Sequence, residues 1–88
     1  MDLTIDQRVR AVISQELGKP EEDLASDALL KEDLGLDSMD SFSLVAALEV
    51  EFGIEIPDHD LAMLRTVRQV STYVQEKVAT TAGYGHGV

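Results

Sequence analysis

Apolar residues in this chain recur every three or four positions and never settle into a sustained alternation, which is the spacing of helices packed on one face. Ile5, Val9, Val12, Ile13 and Leu17 form a first stripe, with Arg8, Arg10, Gln15 and Glu16 on the wetter side. Thr4-x-x-Gln7 opens this segment as a capping box, in which the two side chains satisfy backbone N–H groups that a helix start leaves free, and Gly18 closes it. A second helix is predicted from Asp37 or Ser38, either of which can cap, to Phe52, with Gly53 as its stop. Met39, Phe42, Val45, Leu48 and Phe52 share one face there, and Leu44, Ala46 and Ala47 widen it, so this helix is expected to be buried on more than one side. Ile54-Glu55-Ile56-Pro57 reads as an extended link, because a residue before proline is pushed away from helical angles. Asp58 is then placed to cap a short helix over His59 to Leu64. Thr66-x-x-Gln69 is a second capping box, and Val67, Val70, Val74 and Val78 give the last helix its inward stripe.

Residues 19 to 37 form a long connection that starts at Lys19-Pro20, where proline resists helix continuation. Loops of this length in so small a domain are functional or disordered. This one carries Leu24, Leu29, Leu30, Leu34 and Leu36, enough apolar surface to be pinned onto a core, with Gly35 permitting a backbone turn near its end. From Thr80 to Val88 glycines alternate with other residues, so a disordered tail is expected after a domain spanning 1–79. The fold class is all-α, a small bundle of three longer helices and one short one, with the long loop between the first two.

Composition narrows what such a bundle can do. Eighty-eight residues with 44% hydrophobic content make one small domain. There is no cysteine, hence no disulfide, no thiolate zinc site and no thiol nucleophile of its own. Seventeen acids against seven bases give a net charge of −10, which argues against nucleic acid and anionic membranes as partners. From Glu32 to Leu64 there are nine acids and no Lys or Arg, whereas the remaining residues hold eight acids and seven bases. The middle of the chain therefore presents the negative field, and basic protein surfaces are its natural partners. With no basic and apolar leader at Met1–Asp6 and no apolar run of membrane length, a cytoplasmic location is expected.

Enzyme motifs fail on inspection. Ser38 lacks the flanking glycines of a nucleophile elbow, since Leu36 and Asp40 occupy those positions, and two histidines offer little for a triad. Counting a calcium loop from Asp33 puts Gly35 at the third position and Ser38 at the sixth, so no metal site is expected. His59 reads as exposed beside its turn, and Met39 and Met63 read as packing residues. Ser38 remains, at a predicted helix start where the commonest job of a serine is capping.

Its surroundings give it another. Asp33-Leu34-Gly35-Leu36-Asp37-Ser38-Met39-Asp40 resembles the attachment motif of acyl carrier proteins. Leu44 to Phe52, followed by Gly53-Ile54-Glu55-Ile56-Pro57-Asp58, looks like that family's second helix and the turn after it, and Arg65-Thr66-Val67 looks like the start of its last helix. The resemblance runs from about residue 4 to 79. It implies a non-catalytic, monomeric carrier whose Ser38 a phosphopantetheinyl transferase esterifies with 4′-phosphopantetheine from coenzyme A, the arm's thiol then holding acyl groups as thioesters. It also implies that Asp37, Met39, Asp40, Phe42 and Glu49 meet basic patches on the transferase and on acyl-processing enzymes, and that Ala46, Leu48, Ile56, Leu61 and Leu64 border an expandable cavity for the acyl chain. A chain without cysteine suits this, because the arm then holds the sole thiol.

Two positions depart from carriers of primary fatty acid synthesis, which usually have Glu where this chain has Ser43 and often an acid at Val50. The surface around Phe42, Ser43 and Val50 is thus expected to serve a dedicated polyketide, lipid or secondary-metabolite pathway. An aminoacyl or peptidyl carrier is an alternative, disfavoured by Leu36 and Asp40 where those relatives usually have glycine. An unmodified acidic adaptor, with Ser38 only a cap, is another.

Overall fold

Helix α1 spans Ile5–Leu17 in the computed structural model, which describes the backbone of residues 4–87 and the side chains of residues 4–80. Both halves of its capping box form: Gln7 N–H donates to Thr4 Oγ1 (3.1 Å) and Thr4 N–H to Gln7 Oε1 (2.8 Å). Gly18 ends it at φ 65°, a left-handed angle that costs glycine little. Helix α2 spans Ser38–Phe52 and ends the same way at Gly53, and helix α3 runs over Val67–Gly87. A single 3₁₀ turn at Glu21–Asp23 interrupts the long loop, and a 3₁₀ helix at Asp58–Met63 fills the link between α2 and α3. The fold is all-helical; among the described residues the sole β-type pairing is an isolated bridge between Leu29 and Thr66.

α1 packs against both α2 and α3. Val9 and Ile13 from α1 meet Val67, Val70 and Val74 from α3 with no exposed surface, and Leu48 of α2 closes the core. The long loop is held down as its leucines predict: Leu24, Leu30, Leu34 and Leu36 are buried. Its backbone is also laced to the start of α3, with Leu30 N–H donating to the Arg65 carbonyl (2.9 Å) and Arg68 N–H to that of Ser26 (2.9 Å). Arg10, which the periodicity puts on the wetter side, turns out to be the loop's anchor. Its guanidinium donates to the Leu24 carbonyl, Ser26 Oγ (2.7 Å) and Asp6 Oδ2 (3.0 Å), satisfying polar groups that the buried leucines drag inward.

Two expectations need correction. Asp58 does not cap the short helix; Pro57 precedes it without any side-chain cap, Asp58 is its first residue, and the turn is 3₁₀ because only six residues separate Pro57 from the link to α3. α2 is buried on one side only. Leu44 and Leu48 are buried and Val45, Ala47 and Phe52 half-buried, but Met39, Phe42, Ala46 and Val50 face solvent, because α1 and the loop cover one side and nothing among the described residues covers the other. The α3 backbone is helical to Gly87 and so takes in residues 80–87. Val88 lies outside the described residues.

Candidate functional site

Ser38 stands at the start of α2. Asp37, not Ser38, is the cap: Asp40 N–H donates to Asp37 Oδ1 (2.8 Å), and Asp40 Oδ2 accepts from Asp37 N–H (3.5 Å). Ser41 Oγ donates to the Asp37 carbonyl (2.9 Å), tightening the same turn. Ser38, the first helical residue, is exposed, and its hydroxyl makes no hydrogen bond among the described residues. The reciprocal carboxylates use the N–H groups of Asp37 and Asp40, which leaves those of Ser38 and Met39 without a protein acceptor. The result is an accessible, structurally idle hydroxyl beside two free donors at the positive end of a 15-residue helix. A phosphate ester fits there, and the pantetheine beyond it would pass into solvent or along the neighbouring cavity.

That cavity, about 520 Å³, lies between α2, the long loop and the 3₁₀ helix. α2 lines it with Ser41, Leu44, Val45 and Leu48, the loop with Leu30, Lys31, Glu32 and Leu36, and the segment after Pro57 with Leu61, Ala62, Leu64 and Arg65. Val70 of α3 forms the inner end. Of the residues expected at an acyl cavity, Leu48, Leu61 and Leu64 are brought together. Ile56 is buried in the core and is not part of the lining, and Ala46 is turned to solvent. Leu44, Val45 and Val70 are among the lining residues that sequence reasoning omits, and the helical stripe is their only signal.

The 3₁₀ wall is tied to α3 by one short hydrogen bond, from the Tyr73 hydroxyl to Asp60 Oδ2 (2.6 Å). Burial pushes the Tyr73 phenol well above its ordinary pKa, and the bond to Asp60 and the nearby charges of Asp60 and Glu49 add to it. His59 is exposed, its Nε2 3.3 Å from Asp60 Oδ1. Met63, expected to pack, is 56% exposed, as 3₁₀ geometry points it outward. Away from the site, Asp6 is held below the usual carboxylate range by a hydrogen bond from the buried Ser71 and by Arg10, against some opposition from burial.

The acids of the middle segment divide by task. Asp33 Oδ2 accepts from Leu29 N–H (2.8 Å), and Glu49 Oε2 from Ile56 N–H (2.9 Å), so both shape the chain. Glu51 is neutralised by Arg8, whose guanidinium also lies 4.6 Å over the Phe52 ring. Glu32, Glu55 and Asp58 have no such internal partner among the described residues. Beside the acids at Ser38 stand Met39 and Phe42, 79% and 68% exposed, and farther along α2 Val50 at 86%. Among the described residues no three His, Cys, Asp or Glu side chains are grouped to hold a metal ion, and no helix is long and apolar enough to cross a membrane.

The family model for the phosphopantetheine attachment site matches residues 7–74, a span that holds most of α1, the loop, the Ser38 turn, α2 and the cavity. Such domains work with a phosphopantetheinyl transferase and with partner enzymes, and are typically not themselves catalytic. An exposed, idle serine at a helix start, in a cysteine-free bundle with an apolar cavity alongside, agrees with that match: the chain belongs to the phosphopantetheine attachment-site family, carrier domains that hold 4′-phosphopantetheine covalently.

Proposed function

We propose that the protein is an acyl carrier of a dedicated biosynthetic pathway, with Ser38 as its attachment residue. The observation that carries this reading is the division of labour at the start of α2. Asp37 and Asp40 perform the capping, so Ser38 has no structural duty and its hydroxyl is free for esterification. When bound, the arm supplies a terminal thiol on which acyl groups ride as thioesters; the chain itself supplies no competing thiol. The free N–H groups of Ser38 and Met39 would receive the phosphate oxygens. Leu44, Leu48, Leu61 and Leu64 would shelter the hydrocarbon of a bound acyl group from water.

Docking falls to the surface around Ser38. Asp37 and Asp40 give it negative charge, which steers basic partners and keeps affinity modest enough for release. Met39 and Phe42, with Ser43 and Val50 on the same outward side, give it an apolar character. A surface of that kind favours partners that read shape and apolar contact over a general acidic helix, and this supports fatty acid-like, polyketide or specialised lipid assembly by dedicated enzymes.

Intact mass after incubation with coenzyme A, magnesium and a broad-specificity phosphopantetheinyl transferase tests the attachment. Wild type gains one phosphopantetheine and Ser38→Ala gains none, while both retain the same helical circular dichroism. A folded wild type that gains nothing points to the unmodified acidic adaptor instead. Equal loading and extension by a general fatty acid elongation set would overturn the dedicated pathway.

A further inference from the structure

Lys31 and Arg65 stand at the two borders of the segment that has no base, and the fold brings both to the lining of one cavity. In sequence they are 34 positions apart; the lacing of the loop to the start of α3, through Leu30 N–H and the Arg65 carbonyl, brings both into the lining of one cavity. Neither forms an ion pair among the described residues, whereas Arg8, Arg10 and Arg68 all do. The lining therefore holds two uncommitted cations against the single carboxylate of Glu32, in a chain whose net charge is −10. Everything deeper is hydrocarbon: Leu44, Leu48, Leu61 and Val70.

Pockets of this size that are mostly apolar take their specificity from a few convergent polar groups. Here the charged groups are two donors, Lys31 and Arg65, and one acceptor, Glu32, all on exposed residues. Leu36 and Ser41, which bracket Ser38 in the chain, line the same cavity, so a chain tethered at Ser38 would enter past the cations and leave its far end against the leucines. Resting on the carrier reading above, we infer that Lys31 and Arg65 select an oxygenated acyl chain. Its carbonyl oxygens near the tethered end accept from the two cations, and its hydrocarbon end fills the leucine-lined interior. Charge-assisted bonds of this kind are about twice as strong as neutral ones. A saturated chain offers the donors only the C1 carbonyl that every acyl group shares, and lacks the second oxygen.

The competing role for the two residues is cover alone, with their aliphatic stems laid over the apolar wall. The test loads the full-length chain at Ser38 with non-hydrolysable, amide-linked octanoyl or 3-oxooctanoyl arms and compares thermal midpoints. In wild type the 3-oxooctanoyl form melts about 4 °C above the octanoyl form, a shift within reach of one hydrogen bond in a domain this small. In Lys31→Met/Arg65→Met, which removes the donors and keeps apolar stems, that difference vanishes while the octanoyl form keeps its own gain over the unacylated protein. Arg68→Gln, which removes a cation away from the cavity, retains the difference. Equal midpoints for the two arms in wild type, or a difference that survives in the double variant, overturns the inference alone. A chain that accepts no arm at Ser38 overturns the carrier reading, and this inference with it.

Discussion

The contact between α1 and α3 and the contact between α2 and the 3₁₀ helix use the same residue types to opposite ends. In the first, Val9, Ile13, Val67 and Val74 interlock until none has exposed surface. In the second, leucines and a valine face one another across an open cavity of about 520 Å³, and the wall opposite α2 has no fully buried residue of its own. β-branched side chains on two long helices have few rotamers and pack densely. A six-residue 3₁₀ helix without a side-chain cap cannot approach closely enough along its length to do so. The lesson is that a domain of this size keeps a binding cavity by concentrating its stability on the other side of the bundle.

The largest expected effect sets the two sides against each other directly. Ile13→Ala should cost about 2–5 kcal/mol, since the dense side cannot collapse around the void. Leu61→Ala, half-buried on a wall that already borders empty space, should cost about 1 kcal/mol. Thermal melts followed by circular dichroism separate the two, and equal losses would erase the distinction. Next comes the tie between the regions: Tyr73→Phe should cost about 1–3 kcal/mol, because Asp60 loses its donor in a largely buried position. Hydrogen exchange should then quicken at residues 58–64 and stay unchanged in α1; uniform quickening would mean that Tyr73 serves the whole core.

A smaller effect follows from titration. The folded state raises the Tyr73 pKa, so its stabilising contribution is complete below about pH 10, the ordinary tyrosine value. It is lost as pH rises from there toward the folded-state value, because the unfolded chain ionises first. Urea midpoints of wild type should fall above that pH, and Tyr73→Phe should show a shallower alkaline limb. Asp6 has the reverse sign. Its lowered pKa contributes above about pH 4 and is lost in stronger acid, so Asp6→Asn should flatten the acid limb. The smallest effect is on the uncovered face of α2. Met39→Gln and Val50→Thr should change stability by about 0.5 kcal/mol or less, while a loss as large as that of Leu61→Ala would show that this face packs against something.

Much of the fold is legible in local chemistry. The Thr4 and Thr66 capping boxes, the glycine stops at Gly18 and Gly53 and the leucines of the loop each act within a few residues, so spacing alone finds them. The errors share one cause. Met39, Phe42 and Ala46 fit the apolar stripe of α2 as well as Leu44 and Leu48 do, and periodicity cannot say which side a neighbour will cover. Periodicity puts Arg10 on the wet side because its partners, Leu24 and Ser26, come from a loop whose path no pattern describes.

For the site, the sequence by itself determined the chemistry: one serine in an Asp-rich turn, no cysteine, and a negative middle segment, all properties of residue identity that folding leaves intact. It left open whether Asp37 or Ser38 caps α2, a choice settled within one turn in favour of Asp37. Only the tertiary structure brought Lys31 and Arg65 into one lining and turned Leu44 and Val45 toward the cavity instead of Ala46. Such outcomes depend on which groups meet across the bundle, and contact between distant parts of a chain is fixed by packing and hydrogen-bond satisfaction over the whole molecule.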